Sequence, residues 1–127
     1  MNLELSHFAH RIAAGSLEFV LDLFGRMGCT VCYVNKDVRW ALVRQGAMHI
    51  QFIETEDPPT RTETKKNSHI AFFSPTPGDD VGEIREWVSS RGKEFEQGAW
   101  SENEHWFDVP DVFTYFVVEI MQRPTEA

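Results

Sequence analysis

The chain has 127 residues, 42% of them hydrophobic and 25% charged, which is the balance of one globular domain and not of a disordered segment. Lys and Arg number 12 against 20 Asp and Glu, a formal net charge of −8, which argues against a nucleic-acid partner, because phosphate backbones demand clustered positive charge. No stretch nears the roughly 20 apolar residues that cross a bilayer, and no basic residue precedes Arg11 beside an apolar signal core. The expectation is a cytoplasmic protein with no membrane partner.

Leu5 to Ile12 reads as a strand, broken by Ala13-Ala14-Gly15. Ser16 is the expected N-cap of an amphipathic helix over residues 16–27, with Leu17, Val20, Leu21 and Phe24 at helical spacing and Gly28 ending it. Thr30 to Asn35 and Arg39 to Arg44 follow as strands, Gln45-Gly46 as a turn, and Met48 to Glu54 as a fourth strand. Residues 55–66 are polar, bury nothing in this reading, and form a linker. The stretch Glu54-Thr55-Glu56-Asp57 is read as solvated. The pattern then restarts with a strand from Ser68 to Phe73, a break at Pro75 to Gly78, and a helix carrying Val81, Ile84, Trp87 and Val88 and ended by Gly92. Phe95 to Ala99, His105 to Val109 and Phe113 to Met121 complete it as strands. One domain over 1–127 is therefore made of module 1 (3–54) and module 2 (67–122), each β-α-β-β-β, joined by the linker 55–66.

The repetition extends to residues. Ser6-His7-Phe8-Ala9 opens the first half and returns as Ser68-His69-Ile70-Ala71 at the start of the second. Ile50-Gln51-Phe52-Ile53 closes the first half and is answered by Val118-Glu119-Ile120-Met121. Neither half has core enough alone, so the two halves pack together and equivalent positions converge on a pseudo-twofold axis. Strand alternation puts His7 on a face with Ala9 and Arg11, Gln51 with His49 and Ile53, His69 with Ala71 and Phe73, and Glu119 with Tyr115 and Val117. Turning these polar groups inward demands a partner for them. A divalent cation would satisfy two imidazoles, an amide oxygen and a carboxylate together.

On this repeated order and on His7, Gln51, His69 and Glu119 the chain resembles the vicinal oxygen chelate superfamily, which includes glyoxalase I, methylmalonyl-CoA epimerase, fosfomycin resistance proteins, extradiol dioxygenases and bleomycin resistance proteins. The resemblance spans about residues 3–122 and implies an α+β fold in which two tandem β-α-β-β-β modules form a curved mixed-sheet half-barrel around a cavity. It implies that His7, Gln51, His69 and Glu119 ligate a divalent metal, which could be nickel, cobalt, manganese, zinc or iron. A His-Gln-His-Glu quartet is similar to that of methylmalonyl-CoA epimerase. The common Asp-Pro-Asp-Gly-Asn turn is missing, with Asp108-Val109-Pro110-Asp111 in its region.

The implied activity is a metal-dependent lyase or isomerase/epimerase, acting on a small oxygen-rich substrate through a metal-stabilised enolate. Glu119 is the expected proton carrier, with His49, two residues before Gln51, as a second candidate. Arg11 and Arg44 are candidates for a substrate carboxylate or phosphate, and Phe73 and Tyr115 for the pocket wall. Two alternatives stand beside this. One is a non-catalytic drug- or metabolite-binding protein of the bleomycin-resistance kind, whose acidic surface would capture a cationic ligand. The other keeps the metal for extradiol-type ring cleavage or fosfomycin modification. The resemblance also implies a homodimer. Cys29-Thr30-Val31-Cys32 has redox spacing but follows a helix C-terminus, where no helix dipole lowers a thiol pKa, so it is read as structural.

Overall fold

A computed structural model describes residues 1–124. The chain divides into two compact units, Met1–Pro58 and a second from Pro59 onward. Each is a four-stranded mixed sheet carrying one long helix, and neither sheet closes into a barrel. No helix among the described residues is long and apolar enough to cross a membrane.

The first unit runs β1 (Phe8–Ala13), α1 (Leu17–Arg26), β2 (Thr30–Asn35), β3 (Trp40–Gln45) and β4 (Met48–Thr55). Its strand order is β1-β4-β3-β2, with β1 parallel to β4 and the other pairs antiparallel. α1 covers one face of this sheet. Its stripe of Leu17, Phe19, Val20, Leu23 and Phe24 is buried, and Phe24 meets Phe52 at 4.6 Å between ring centroids. Ile12, Ala41, Val43 and Phe52 are buried beneath it. Gly28, at φ +99°, takes the left-handed turn that ends α1.

The cap of α1 differs from expectation. The Ser16 side chain makes no cap bond to the helix and instead donates back to the Ala13 carbonyl at 2.5 Å. The carboxylate that accepts from the Leu17 N–H, at 2.9 Å, belongs to Glu54. Arg39 grips the same carboxylate through Nε at 3.0 Å and Nη2 at 2.7 Å. Glu54 is therefore a cap supplied by β4, not part of a solvated stretch. Burial works against its charge, but Arg39 and the Gly15 and Leu17 amides outweigh that and hold its carboxyl below the ordinary value.

The second unit runs α2 (Thr62–Lys65), β5 (His69–Phe73), α3 (Pro77–Ser90), β6 (Glu96–Ser101), β7 (Glu104–Asp108) and β8 (Val117–Met121). Its order, β5-β8-β7-β6, repeats the first unit's, again with the outer pair parallel. α3 packs on β7 and β8 and buries Val81 and Val88. Phe107, Val118 and Ile120 lie buried on that side.

Two expectations fail here. The stretch 55–66 does bury side chains, because α2 tucks Thr62 and Lys65 inside. Lys65 Nζ lies 3.0 Å from Asp108 Oδ1 and donates to the Phe113 carbonyl at 2.5 Å, while Thr62 Oγ1 donates to Asp108 Oδ2 at 2.6 Å. The last strand begins at Val117, not Phe113. The apolar run before it is a loop whose rings fill the core: Phe113 stacks on Phe116 at 4.5 Å and lies 6.1 Å from Phe107.

Candidate functional site

The duplication holds in register. In the first unit Ala9 pairs with Gln51, and Gln51 with Leu42. In the second, Ala71 pairs with Glu119, and Glu119 with Trp106. Cross-strand partners share a face, so Gln51 and Glu119 occupy equivalent places, each on the face opposite its unit's helix. His7 and His69 each stand two residues before the paired alanine, although β1 itself begins only at Phe8 and His7 is exposed just outside it.

In the second unit the two expected donors meet. His69 Nε2 is 3.5 Å from Glu119 Oε1. His69 Nδ1 lies 3.3 Å from the Lys66 carbonyl oxygen. A carbonyl can only accept, so Nδ1 carries a proton in this contact, and Nε2 is the ring nitrogen that faces the carboxylate. Glu119 is 5% exposed, and its carboxyl is raised above the ordinary value, first by burial and also by nearby Glu104, with His69 opposing. An imidazole nitrogen and a buried carboxylate at this distance are two groups of the kind that ligate a cation. Among the described residues no three His, Cys, Asp or Glu side chains gather closely enough to hold a metal. Each unit offers two of the four expected donors.

In the first unit, His7, Leu42 and His49 line one depression of about 440 Å³. His49 pairs across the strands with Arg44. Both are on the Gln51 face, His49 half-buried and Arg44 exposed. Arg11 is on that face too, but its guanidinium is paired with Asp57 at 3.2 Å.

Of the two expected wall residues, Phe73 lines a depression of about 520 Å³ with Arg123. Phe73 shares the Glu119 face but lies under the Arg123 guanidinium at 4.3 Å. Tyr115 is exposed in the loop before β8, not on the strand. Trp100 stands beside the donor pair, 5.3 Å from the His69 ring centroid and 6.3 Å from Trp106. Lys66, whose carbonyl orients His69, escapes sequence reasoning, where nothing but its place three residues before His69 could mark it. Cys29 is buried and Cys32 exposed, both free, and burial raises the Cys29 thiol. That is the environment of a structural cysteine.

No family model and no curated protein matches the chain. Solved structures do. The fosfomycin resistance protein FosX from Listeria monocytogenes is 17% identical, with 98% of this chain and 94% of that one covered and a TM-score of 0.63. FosX from Mesorhizobium loti gives the same identity, coverage and score. A putative glyoxalase family protein from Bacillus anthracis is 15% identical, covers 98% of each chain, and scores 0.55. The Listeria protein has also been crystallised, as a mutant, with Mn(II) and 1S,2S-dihydroxypropylphosphonic acid. At these identities the likeness speaks for the fold: the chain shares the twice-repeated β-α-β-β-β fold of these proteins.

Proposed function

We propose that the protein is a divalent-metal-dependent enzyme acting on a small molecule with adjacent oxygen atoms. The observation that carries this reading is the His69–Glu119 pair, with Nε2 turned to a buried carboxylate at 3.5 Å. In this reading His69 and Glu119 supply two ligands, and their register counterparts in the first unit, His7 and Gln51, complete the set. A bound dication supplies Lewis-acid polarisation of the substrate oxygens. The Lys66 carbonyl fixes the His69 tautomer. Glu119 carries a proton at its carboxylate when it is free of the cation. His49 is the first unit's reserve base, and Arg44 beside it binds the substrate's anionic group. Lyase or isomerase chemistry follows from a base placed beside polarised oxygens. Fosfomycin modification is the second reading, and the likeness to FosX is what favours it.

The test is metal content without chelator or tag histidines, beside a His69→Ala, Glu119→Ala double variant. About one metal ion per chain, lost in the variant, supports the reading, and turnover of fosfomycin against dicarbonyl–thiol adducts then separates the two chemistries. No bound metal after incubation with manganese, nickel, cobalt, zinc or iron overturns it and leaves the binding-protein alternative.

A further inference from the structure

Beside the donor pair the second unit builds something that ligation does not require. β6 bulges between Ala99 and Ser101, so Trp100 drops out of the ladder with β7. Its ring stands 5.3 Å from His69 and is still 41% exposed. Trp106 backs it at 6.3 Å, only 7% exposed. Trp106 reaches that place because its cross-strand neighbour is Gly98, where an added Cβ would stand 2.6 Å from the indole. Lys66 Nζ sits 5.0 Å over the same indole. A large apolar ring left open to solvent beside a polar pair, on a supported aromatic base, is a surface for a flat ligand group.

We propose that Trp100 is a specificity-determining residue: its ring, backed by Trp106, stacks on a planar apolar substituent of the substrate next to the oxygens bound near His69 and Glu119. The substrate class is thus a small oxygen-bearing acid with an aromatic or flat unsaturated group. This rests on the proposed site but can fail separately from it.

The test uses two 2-hydroxy acids that differ only in this group, mandelate with a phenyl ring and lactate with a methyl. Each is titrated calorimetrically against the full chain with and without Mn(II), while Mn(II) occupancy is read independently by electron paramagnetic resonance. Mandelate is expected to bind about tenfold more tightly than lactate, as ring stacking plus apolar burial allow. That preference falls to about one in Trp100→Ala and is largely kept in Trp100→Phe, with circular dichroism confirming the fold of both. With Mn(II) bound, equal affinities, no binding of either acid, or a preference that survives Trp100→Ala overturns the proposal. Missing Mn(II) occupancy in the parent protein counts against the metal site, and the aromatic wall is then decided with the uncharged pair benzyl alcohol and ethanol, where a missing preference for the phenyl ring, or one that survives Trp100→Ala, overturns it.

Discussion

Lys65→Met tests whether α2 is a stapled part of the second unit. The change keeps an unbranched side chain, one atom shorter, and removes its charge. Lys65 is 1% exposed and Asp108 0%, so the variant leaves a buried carboxylate whose remaining donor is Thr62 at 2.6 Å. Removing one partner of a buried pair costs about 3–5 kcal/mol. The charge part has a ceiling, because Asp108 can take up a proton. Neutralising a carboxyl of ordinary pKa at pH 7 costs about 1.4 kcal/mol for each of roughly three pH units, or about 4 kcal/mol. At pH 5 the same ceiling is about 1.5 kcal/mol. Asp108 is raised by burial even with Lys65 present, against the pull of Thr62 and Lys65. A raised carboxyl favours the folded state at low pH and opposes it once the pH climbs past the ordinary value. The protein with Lys65 in place already bears part of that cost, so the expected loss at pH 7 lies below the ceiling, at about 1–3 kcal/mol read from urea unfolding. At pH 5 it shrinks below about 1.5 kcal/mol in the same assay. Adding Asp108→Asn should recover much of the pH 7 loss, since no buried charge remains. A loss at pH 7 under about 1 kcal/mol, far below the usual cost of breaking a buried pair, or an equal loss at both pH values, would refute the reasoning.

Three further outcomes are expected. Glu54→Ala should cost roughly 1–2 kcal/mol, the worth of a helix cap. Because the Glu54 carboxyl is lowered, that contribution is present above the ordinary carboxyl value and fades as the pH falls through the lowered one, opposite in sign to Asp108; urea unfolding across that range checks both. Gly98→Val should displace the Trp106 indole, costing about 1–3 kcal/mol by overpacking and altering the near-ultraviolet circular dichroism of the tryptophans. Glu119→Gln should leave the metal-free protein at least as stable to thermal unfolding, because it removes a buried charge that only His69 balances, while abolishing metal uptake; a clear drop in melting temperature would show that Glu119 serves the core instead.

The repeat is legible because it lives in local order. Periodicity marks the helices, and β-branched residues with glycine turns mark the strands. The recurrence of Ser-His-aromatic-or-aliphatic-Ala and of the closing strand carries the register, since Ala9–Gln51 and Ala71–Glu119 are paired in the same way. What stays hidden depends on partners distant in sequence. Nothing around Glu54 announces that it caps a helix beginning at Leu17. A lysine in a polar stretch reads as solvated until Asp108 is found 3.0 Å from it. The Phe113–Phe116 run reads as strand because buried rings in a loop and buried rings in a strand give the same apolar signal. Trp100 is hard to single out from sequence, because which tryptophan stays open depends on a bulge that composition does not record.

The departure from strict duplication is where the proposed chemistry concentrates. Leu42 and Trp106 occupy matching register positions, as do Gln51 and Glu119. The second unit thus has the charged member and the larger ring at the places where the first has an amide and an aliphatic chain. Folding alone gives little reason for this, because a buried carboxylate opposes stability and an amide at the same place would oppose it less. The proposed set of two imidazoles, one amide and one carboxylate would carry one negative charge, so a dication held by it would keep net positive charge to polarise substrate oxygens. A second carboxylate at Gln51 would tighten binding and blunt that polarisation. The proposed site, with its one acid beside an aromatic wall, is what a duplicated scaffold yields when only one copy is loaded with charge.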